Sequence, residues 1–342
     1  MKKLLLILLC APIMSFGQNV YIPDANFKNY LVNNTAINTN GDSEIQVTEA
    51  SAFTGIINCY DLSISDLIGI EAFTALTYLN CGYNQLTSLD VTQNTALEVL
   101  ECYSNQLTSL DVSQNTALYR LKCDDNQLTS LDVSNNTALE SLDCDANQLT
   151  SLDVSQNTAL KILGCTVNQL TSLDVSNNTA LEVLECAINQ LTSLDVSNNT
   201  ALEGLNCDAN QLTSLDVSQN TALIILGCIV NQLTCLNVAN GNNINLVVFD
   251  AENNPNLTCI QVDDAVWSSA NWTGGNIDSQ IYFSANCNNA CSNTTGINEL
   301  NATPKQLIKI VDVLGRKTPF KPNTTLLYIY NDGTVERKMI IE

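Results

Sequence analysis

The chain contains no histidine, and of its 13 basic residues only Arg120, Lys122 and Lys161 fall between Asn29 and Asn298. Without histidine there are no Ser-His-Asp triads, no histidine zinc sites, and none of the commonest general base. The shortage of Lys and Arg, with a formal net charge of −22, argues against nucleic acid as a partner, because phosphate backbones are held by clustered cations. Neither a glycine-rich phosphate loop nor a nucleophile elbow occurs. Carboxylates are too abundant for any one pair to stand out as an acid–base couple. The expectation is a protein that is not an enzyme. Beyond the first residues no run is apolar enough to span a bilayer, so no transmembrane segment is expected in the mature chain.

Residues 1–17, MKKLLLILLCAPIMSFG, have two lysines, a short apolar run and small residues before Gln18, the pattern of a secretory signal cut before Gln18. Residues 18–55 do not repeat and include VYIPDANFKNYLV, where Phe27, Tyr30 and Leu31 fall at helical spacing, so this region reads as an N-terminal cap. From 56 to 258 a 21-residue unit recurs, with Cys81, Cys102, Cys123, Cys144, Cys165, Cys186, Cys207 and Cys228 in the same seat and looser copies at Cys59 and Ala251. A fixed short period overrides the usual domain count and predicts one elongated array of nine or ten coils. Residues 259–291 leave the period and carry Trp267, Trp272 and three cysteines, reading as a closing cap. A polar linker, 292–298, leads to 299–342, which holds seven of the basic residues and alternates like strands in LIKIVDVLG and LLYIYND, a small β-sandwich module.

One unit, LEVLECYSNQLTSLDVSQNTA at 97–117, has the form L-x-x-L-x-C-x-x-N-x-L of a leucine-rich repeat with Cys in one leucine seat. Alternation turns Leu100 and Cys102 inward and Val99, Glu101 and Tyr103 outward on a short strand. Stacked copies predict a parallel sheet on one face. With 21 residues per coil there is no room for a helix opposite, so turns and extended chain should close each coil. Asn84, Asn105 and Asn126, with their later copies, stand where the strand bends, suited to pairing buried backbone. Neighbouring parallel strands lie about 4.8 Å apart with near-parallel Cβ vectors, whereas a disulfide needs Cβ atoms about 3.8 Å apart and facing. The eight cysteines are thus expected as free, buried, small hydrophobes. Their burial and lack of an activating neighbour speak against redox or metal chemistry.

Within the cap, NTNGDSEIQVTE at 38–49 resembles an EF-hand or dockerin-type loop. That resemblance implies weak calcium binding by Asn38, Asn40, Asp42, the Glu44 carbonyl and Glu49, with Ser43 where glycine makes the turn. A column of Asp90, Asp111, Asp132, Asp153, Asp174, Asp195 and Asp216 is expected to cap nearby amides on a solvated face.

Residues that vary between otherwise similar copies mark where the fold is indifferent. On the strand face these are Tyr78, Asn80, Tyr83, Val99, Glu101, Tyr103, Tyr119, Arg120, Lys122, Asp124, Asp143 and Asp145, giving way to aliphatics in later coils. Tyrosines beside a charged patch predict a face for a protein or glycan ligand on another cell or matrix. In the closing cap, Cys259 and Cys287 could clamp the last coil, with Cys235 and Cys291 as alternative partners, a connectivity left open by the sequence.

The 21-residue cysteine unit and the phrase NQLTSLDVS-x-NTAL resemble the repeats of the internalin J family of bacterial surface proteins. This implies a leucine-rich-repeat solenoid used in adhesion. The tail resembles instead the C-terminal sorting domain of type IX secretion cargo, in VLGR at 313–316, the Tyr328 strand, NDGT at 331–334 and the final RKMII. That implies type IX machinery as a partner and an extracellular or outer-membrane-attached location. Alternative functions are a structural surface-layer protein without a ligand and an accessory subunit that presents carbohydrate.

Overall fold

The computed structural model describes residues 18–273, 275–287 and 291, with three strands at 307–311, 326–330 and 335–338. The expected signal peptide (1–17) and linker (292–298) lie outside the described residues, as do the VLGR and NDGT segments. The chain divides into two compact units, one to Asn293 and one from Thr294.

The first unit opens with helix α1 (Ala25–Val32) and helix α2 (Val47–Ala52). Asp24 starts α1: its Oδ1 accepts from the N–H groups of Asn26 and Phe27 at 2.9 Å. Its Oδ2 accepts from Ser65 N–H and Oγ–H, both at 2.9 Å, so one carboxylate caps a helix end and ties it to the first coils. Phe27 and Leu31 are fully buried in the core that runs on into the repeats.

The strands, each three residues long, are β1 (Ile56–Asn58), β2 (Tyr78–Asn80), β3 (Val99–Glu101), β4 (Arg120–Lys122), β5 (Ser141–Asp143) and β6 (Ile162–Gly164). They continue with β7 (Val183–Glu185), β8 (Gly204–Asn206), β9 (Ser214–Asp216), β10 (Ile225–Gly227), β11 (Cys235–Asn237), β12 (Val248–Asp250), β13 (Cys259–Gln261) and, after helix α3 (Ala265–Asn271), β14 (Tyr282–Ser284). A ten-stranded sheet runs β1-β2-β3-β4-β5-β6-β7-β8-β10-β12, and every pair is parallel and in register, for example Leu100 beside Leu121. The expected parallel solenoid is present. Its other face is extended chain and turns, and in the late coils that chain itself pairs, in the order β14-β13-β11-β9. Residues 259–291 therefore do more than close the end, since two of these four strands are theirs.

Registry explains the core. Each step stacks Leu on Leu and Cys on Cys, so Leu100, Cys102, Leu107, Val112 and Leu118 are fully buried and their equivalents form one continuous cluster. A buried leucine contributes roughly 1.5–3 kcal/mol, repeated in every coil. The bends are fastened by asparagine: Asn126 Nδ2 donates to the carbonyls of Cys102, Cys123 and Asp124 at 3.1–3.2 Å, while its Oδ1 accepts Leu107 N–H at 2.9 Å. A second buried ladder, represented by Asn115 Nδ2 donating to Val91 and Asn94 carbonyls, holds the opposite corner. The seat just before the first asparagine has left-handed backbone in coil after coil, including Tyr83, Ser104, Asp125, Val167 and Val230.

Nine cysteines, Cys59 and the eight in strict register, are free and buried. Burial pushes their thiols up, Cys59 to about 12. Several donate to the carbonyl of the next coil, as Cys144 Sγ does to Gly164 O at 3.2 Å. Cys259 bonds Cys287, and Cys235 and Cys291, the alternative partners, bond each other instead. Trp272 packs on Phe249, ring centroids 4.3 Å apart.

In the second unit, strands β15 (Leu307–Val311), β16 (Leu326–Tyr330) and β17 (Val335–Lys338) form an antiparallel sheet in the order β15-β16-β17.

Candidate functional site

Because the interior is the same in every coil, individuality sits on the outward seats of the ten-stranded sheet. Each coil offers four: the first and third strand residues, then the two residues that follow the cysteine.

The early coils carry an aromatic group. Tyr60, Tyr83 and Tyr103 meet edge-on or tilted, with ring centroids 5.3–6.2 Å apart. Tyr83 is 54% exposed and Tyr60 41%. Gly82 leaves room for it, since a Cβ there would lie 2.8 Å from the Tyr103 ring. Lys122 Nζ stands 5.8 Å from the centre of that ring, a cation–π contact.

Two residues expected to point outward for ligand, Val99 and Glu101, are only 5% and 7% exposed, and Asn80 is buried too. Alternation along one strand does place them outward, but in-register neighbours cover them. Glu101 accepts from Tyr78 Oη–H at 2.9 Å and Asn80 Nδ2 at 3.0 Å and faces Arg120 at 3.4 Å. These side chains brace the face rather than offer themselves. Tyr83 and Tyr119 are exposed, while Tyr78, Tyr103, Arg120, Lys122, Asp124, Asp143 and Asp145 are half-buried.

The middle coils gather carboxylates. Asp143 pairs with Lys122 at 3.4 Å. Burial, then repulsion from Asp143, pushes Asp124 up to about 6. Burial also takes Asp145 to about 6 against the Thr166 N–H that it accepts, with Asp143, Asp124 and Glu185 adding repulsion. Glu185 and Asp208 are raised by burial in the same way. A cavity of about 440 Å³ opens here, lined by Arg120, Lys122, Asp143, Asp145, Ile162, Gly164 and Glu185. The later coils expose Ile162, Val167, Ile188, Ile225 and Val230 instead.

The other candidate, residues 38–49, folds as a loop closed on its own amides. Glu49 Oε1 accepts from Thr39 N–H, Thr39 Oγ–H and Asn40 N–H at 2.8–3.2 Å, and its Oε2 accepts Gln46 N–H as the capping box of α2. Asp42 accepts Glu44 N–H at 2.7 Å, and Asn38 Oδ1 accepts Gly41 N–H at 3.0 Å. The Glu44 side chain faces away to Lys28 at 2.7 Å. The turn glycine is Gly41, with φ +71°, two residues before the seat where an EF-hand needs it. Among the described residues no group of three or more His, Cys, Asp or Glu is placed to hold a metal ion.

The aspartate column lies on the opposite face and closes tight turns: Asp111 Oδ1 accepts Ser113 N–H at 2.9 Å, repeated at Asp132, Asp153 and Asp174. Hydrogen bonding from Ser113 holds the Asp111 carboxyl below its ordinary range.

No family model matches the chain. A stretch of 76 residues, 22% of the chain, is 37% identical to internalin J of Listeria monocytogenes, and it spans 8% of that relative. The solved functional domain of internalin J from Listeria monocytogenes, which includes a cysteine ladder, aligns at 33% identity over 72% of this chain and 67% of that domain, with a TM-score of 0.55. Internalin C2 of the same species shares the fold at 20% identity, TM-score 0.53, over 59% of this chain and 91% of its own. Given that alignment and the ladder of buried thiols at a 21-residue step, the chain belongs to the internalin J family of cysteine-ladder leucine-rich-repeat proteins.

Proposed function

We propose that this chain is a non-catalytic adhesin or binding scaffold, displayed on the cell surface or secreted, whose ten-stranded face takes a protein or glycan ligand. The observation that carries this is the contrast between seats: interior residues recur in every coil, whereas the outward seats hold an exposed tyrosine cluster, a basic pair and a carboxylate group. A continuous face of differing side chains on a rigid repeat is what a binding surface needs. The proposal includes type IX export directed by residues 299–342, supported by the antiparallel sheet β15-β16-β17 and by the tail motifs. Deleting 299–342 should trap the protein in the periplasm. Weak calcium binding at 38–49 belongs to the same proposal, in competition with the loop's own amide donors; absence of heat on adding millimolar calcium would remove it.

The functional test is capture from the organism's surroundings by the full chain, followed by titration of what is captured. A saturable partner supports the scaffold. Self-association alone would favour a surface-layer role without a ligand.

A further inference from the structure

Two stretches of the later face are built alike. Residues 141–146 and 162–167 read SLDCDA and ILGCTV, and 63 residues on, three coils later, 204–209 and 225–230 read GLNCDA and ILGCIV. Five of the eight outward seats recur across these two pairs of coils, whereas between 99–104 and 183–188 two of four do.

The geometry repeats with the letters. Asp145 Oδ1 accepts Thr166 N–H at 2.5 Å, and Asp208 Oδ1 accepts Ile229 N–H at 2.8 Å. Gly164 and Gly227 take the third strand seat, which elsewhere holds Glu101, Lys122 or Glu185. Neither glycine has left-handed backbone, so what glycine provides there is space. A Cβ at 164 would lie 3.1 Å from Asp145 Oδ1 and 3.3 Å from Asp143 Oδ1; at 227 it would lie 3.0 Å from Asp208 Oδ1 and 3.3 Å from Asn206 Oδ1. Each glycine thus floors a notch with a carboxylate on one side.

The walls are aliphatic. Ile162, Val167, Ile225 and Val230 are 43–49% exposed. Val167 and Val230 moreover sit at φ +54°, a conformation that Ile188 shares and that is poorly suited to β-branched residues, where other coils place Tyr83, Ser104, Asp125, Ala146 or Ala209. No basic residue occurs between Lys161 and Lys305, so the second notch has no cation in its own coils, whereas Lys122, paired with Asp143, and Arg120 line the cavity beside the first. The first notch opens into the 440 Å³ cavity described above.

Resting on the strand-face reading, we propose that these coils form two similarly built notches that take two Lys or Arg side chains of one cationic protein segment. The aliphatic stem lies against Ile and Val, as long cationic side chains do on apolar surface, and the charged head meets Asp145 or Asp208. Three strand spacings put the notches about 14 Å apart. Desolvation already disfavours both carboxylates in their charged form, and an incoming cation offsets that cost.

The test uses the full chain and a labelled peptide, Leu-Arg-Gly-Ser-Gly-Ser-Arg-Leu, whose arginines reach at most about 17 Å apart when extended. The control has the second arginine replaced by serine. Fluorescence anisotropy should show the two-arginine peptide binding about ten-fold more tightly, by effective concentration. Asp145→Asn and Asp208→Asn keep an oxygen for the backbone N–H; each should lower the two-arginine affinity to that of the control, with a melting temperature that does not fall. Should either variant melt lower, Ile162→Ser and Ile225→Ser, on exposed side chains, carry the same expectation of weakened binding. Equal affinity for both peptides, or indifference to all four substitutions, overturns the proposal. If that happens while a captured partner still binds saturably, the scaffold reading stands and the notches are not its cation sites.

Discussion

The coils at β2–β4 and those at β6–β10 share an interior of leucine, cysteine and asparagine seats and differ in most seats outside, although β3 and β7 both read VLE. In the earlier coils Glu101 is locked by Tyr78, Asn80 and Arg120, and aromatic rings stack over a glycine. Among the later coils β6 and β10 have glycine where Glu101 stood, aliphatic side chains are exposed, and beyond Lys161 no lysine or arginine follows before Lys305. One scaffold therefore supports two chemistries, and the energy of the fold and the specificity of the face are carried by different residues.

Substitutions sharpen that separation. The largest expected effect is on the shared interior: Leu121→Ala and Leu226→Ala should each cost about 2–5 kcal/mol in denaturant unfolding, and by similar amounts, because both side chains are fully buried in the same register. A large inequality would break the claim that the two regions share one core. Next comes Asn126→Ala, which strips three carbonyls of a donor and Leu107 N–H of its acceptor; about 2–3 kcal/mol is expected.

Much of this half of the account was legible in the sequence. Period, inward leucines, the cysteine seat and the bend asparagines all follow from alternation plus repetition, since a seat identical in every copy must face its own image. The face was read less well. Val99 and Glu101 alternate outward, yet both are buried, Glu101 between Asn80 and Arg120 of the coils on either side, and a single strand's pattern does not register lateral cover. The closing cap was legible only as a set of cysteines: the pairs Cys235–Cys291 and Cys259–Cys287 depend on how β13 and β14 extend the second sheet. Tyr60 was missed as a member of the aromatic group because it sits in a looser terminal copy, although Tyr103 occupies the same seat. The notches were missed because their signal is a similarity between coils three steps apart.

Smaller effects separate the regions further. Asp124 and Asp145 have carboxyls raised to about 6 from 3.8, so the folded state holds their protons more tightly than the unfolded chain. Their protonation favours the fold fully below about pH 4, and that contribution is lost as pH rises through 6. Stability followed by thermal melts should fall between pH 4.5 and 7. The double variant D124N/D145N should flatten the profile by on the order of 1 kcal/mol per site, after discount for half-exposed groups. The same profile in the wild type and the double variant would contradict the crowding of these carboxylates. Smallest is Val167→Asn: the left-handed seat suits Asn better than Val, so unfolding should show a gain of about 0.5–1 kcal/mol. A loss would mean the exposed valine contributes to the fold and weaken its reading as a wall kept for contact.

The central claim is that binding resides in outward seats the fold does not need. It is tested most directly by exchanging those seats for residues the chain itself uses elsewhere in the same positions: Tyr83→Ala as at Ala146, Tyr103→Ala as at Ala187, and the exposed Tyr119→Glu as at Glu140. The affinity of this triple variant for the captured ligand should fall at least about ten-fold, the 1.4 kcal/mol that one or two contact side chains supply, with the melting temperature little changed. Unaltered affinity, together with loss of binding on changing the opposite face at Asp132 and Asp153, would contradict it.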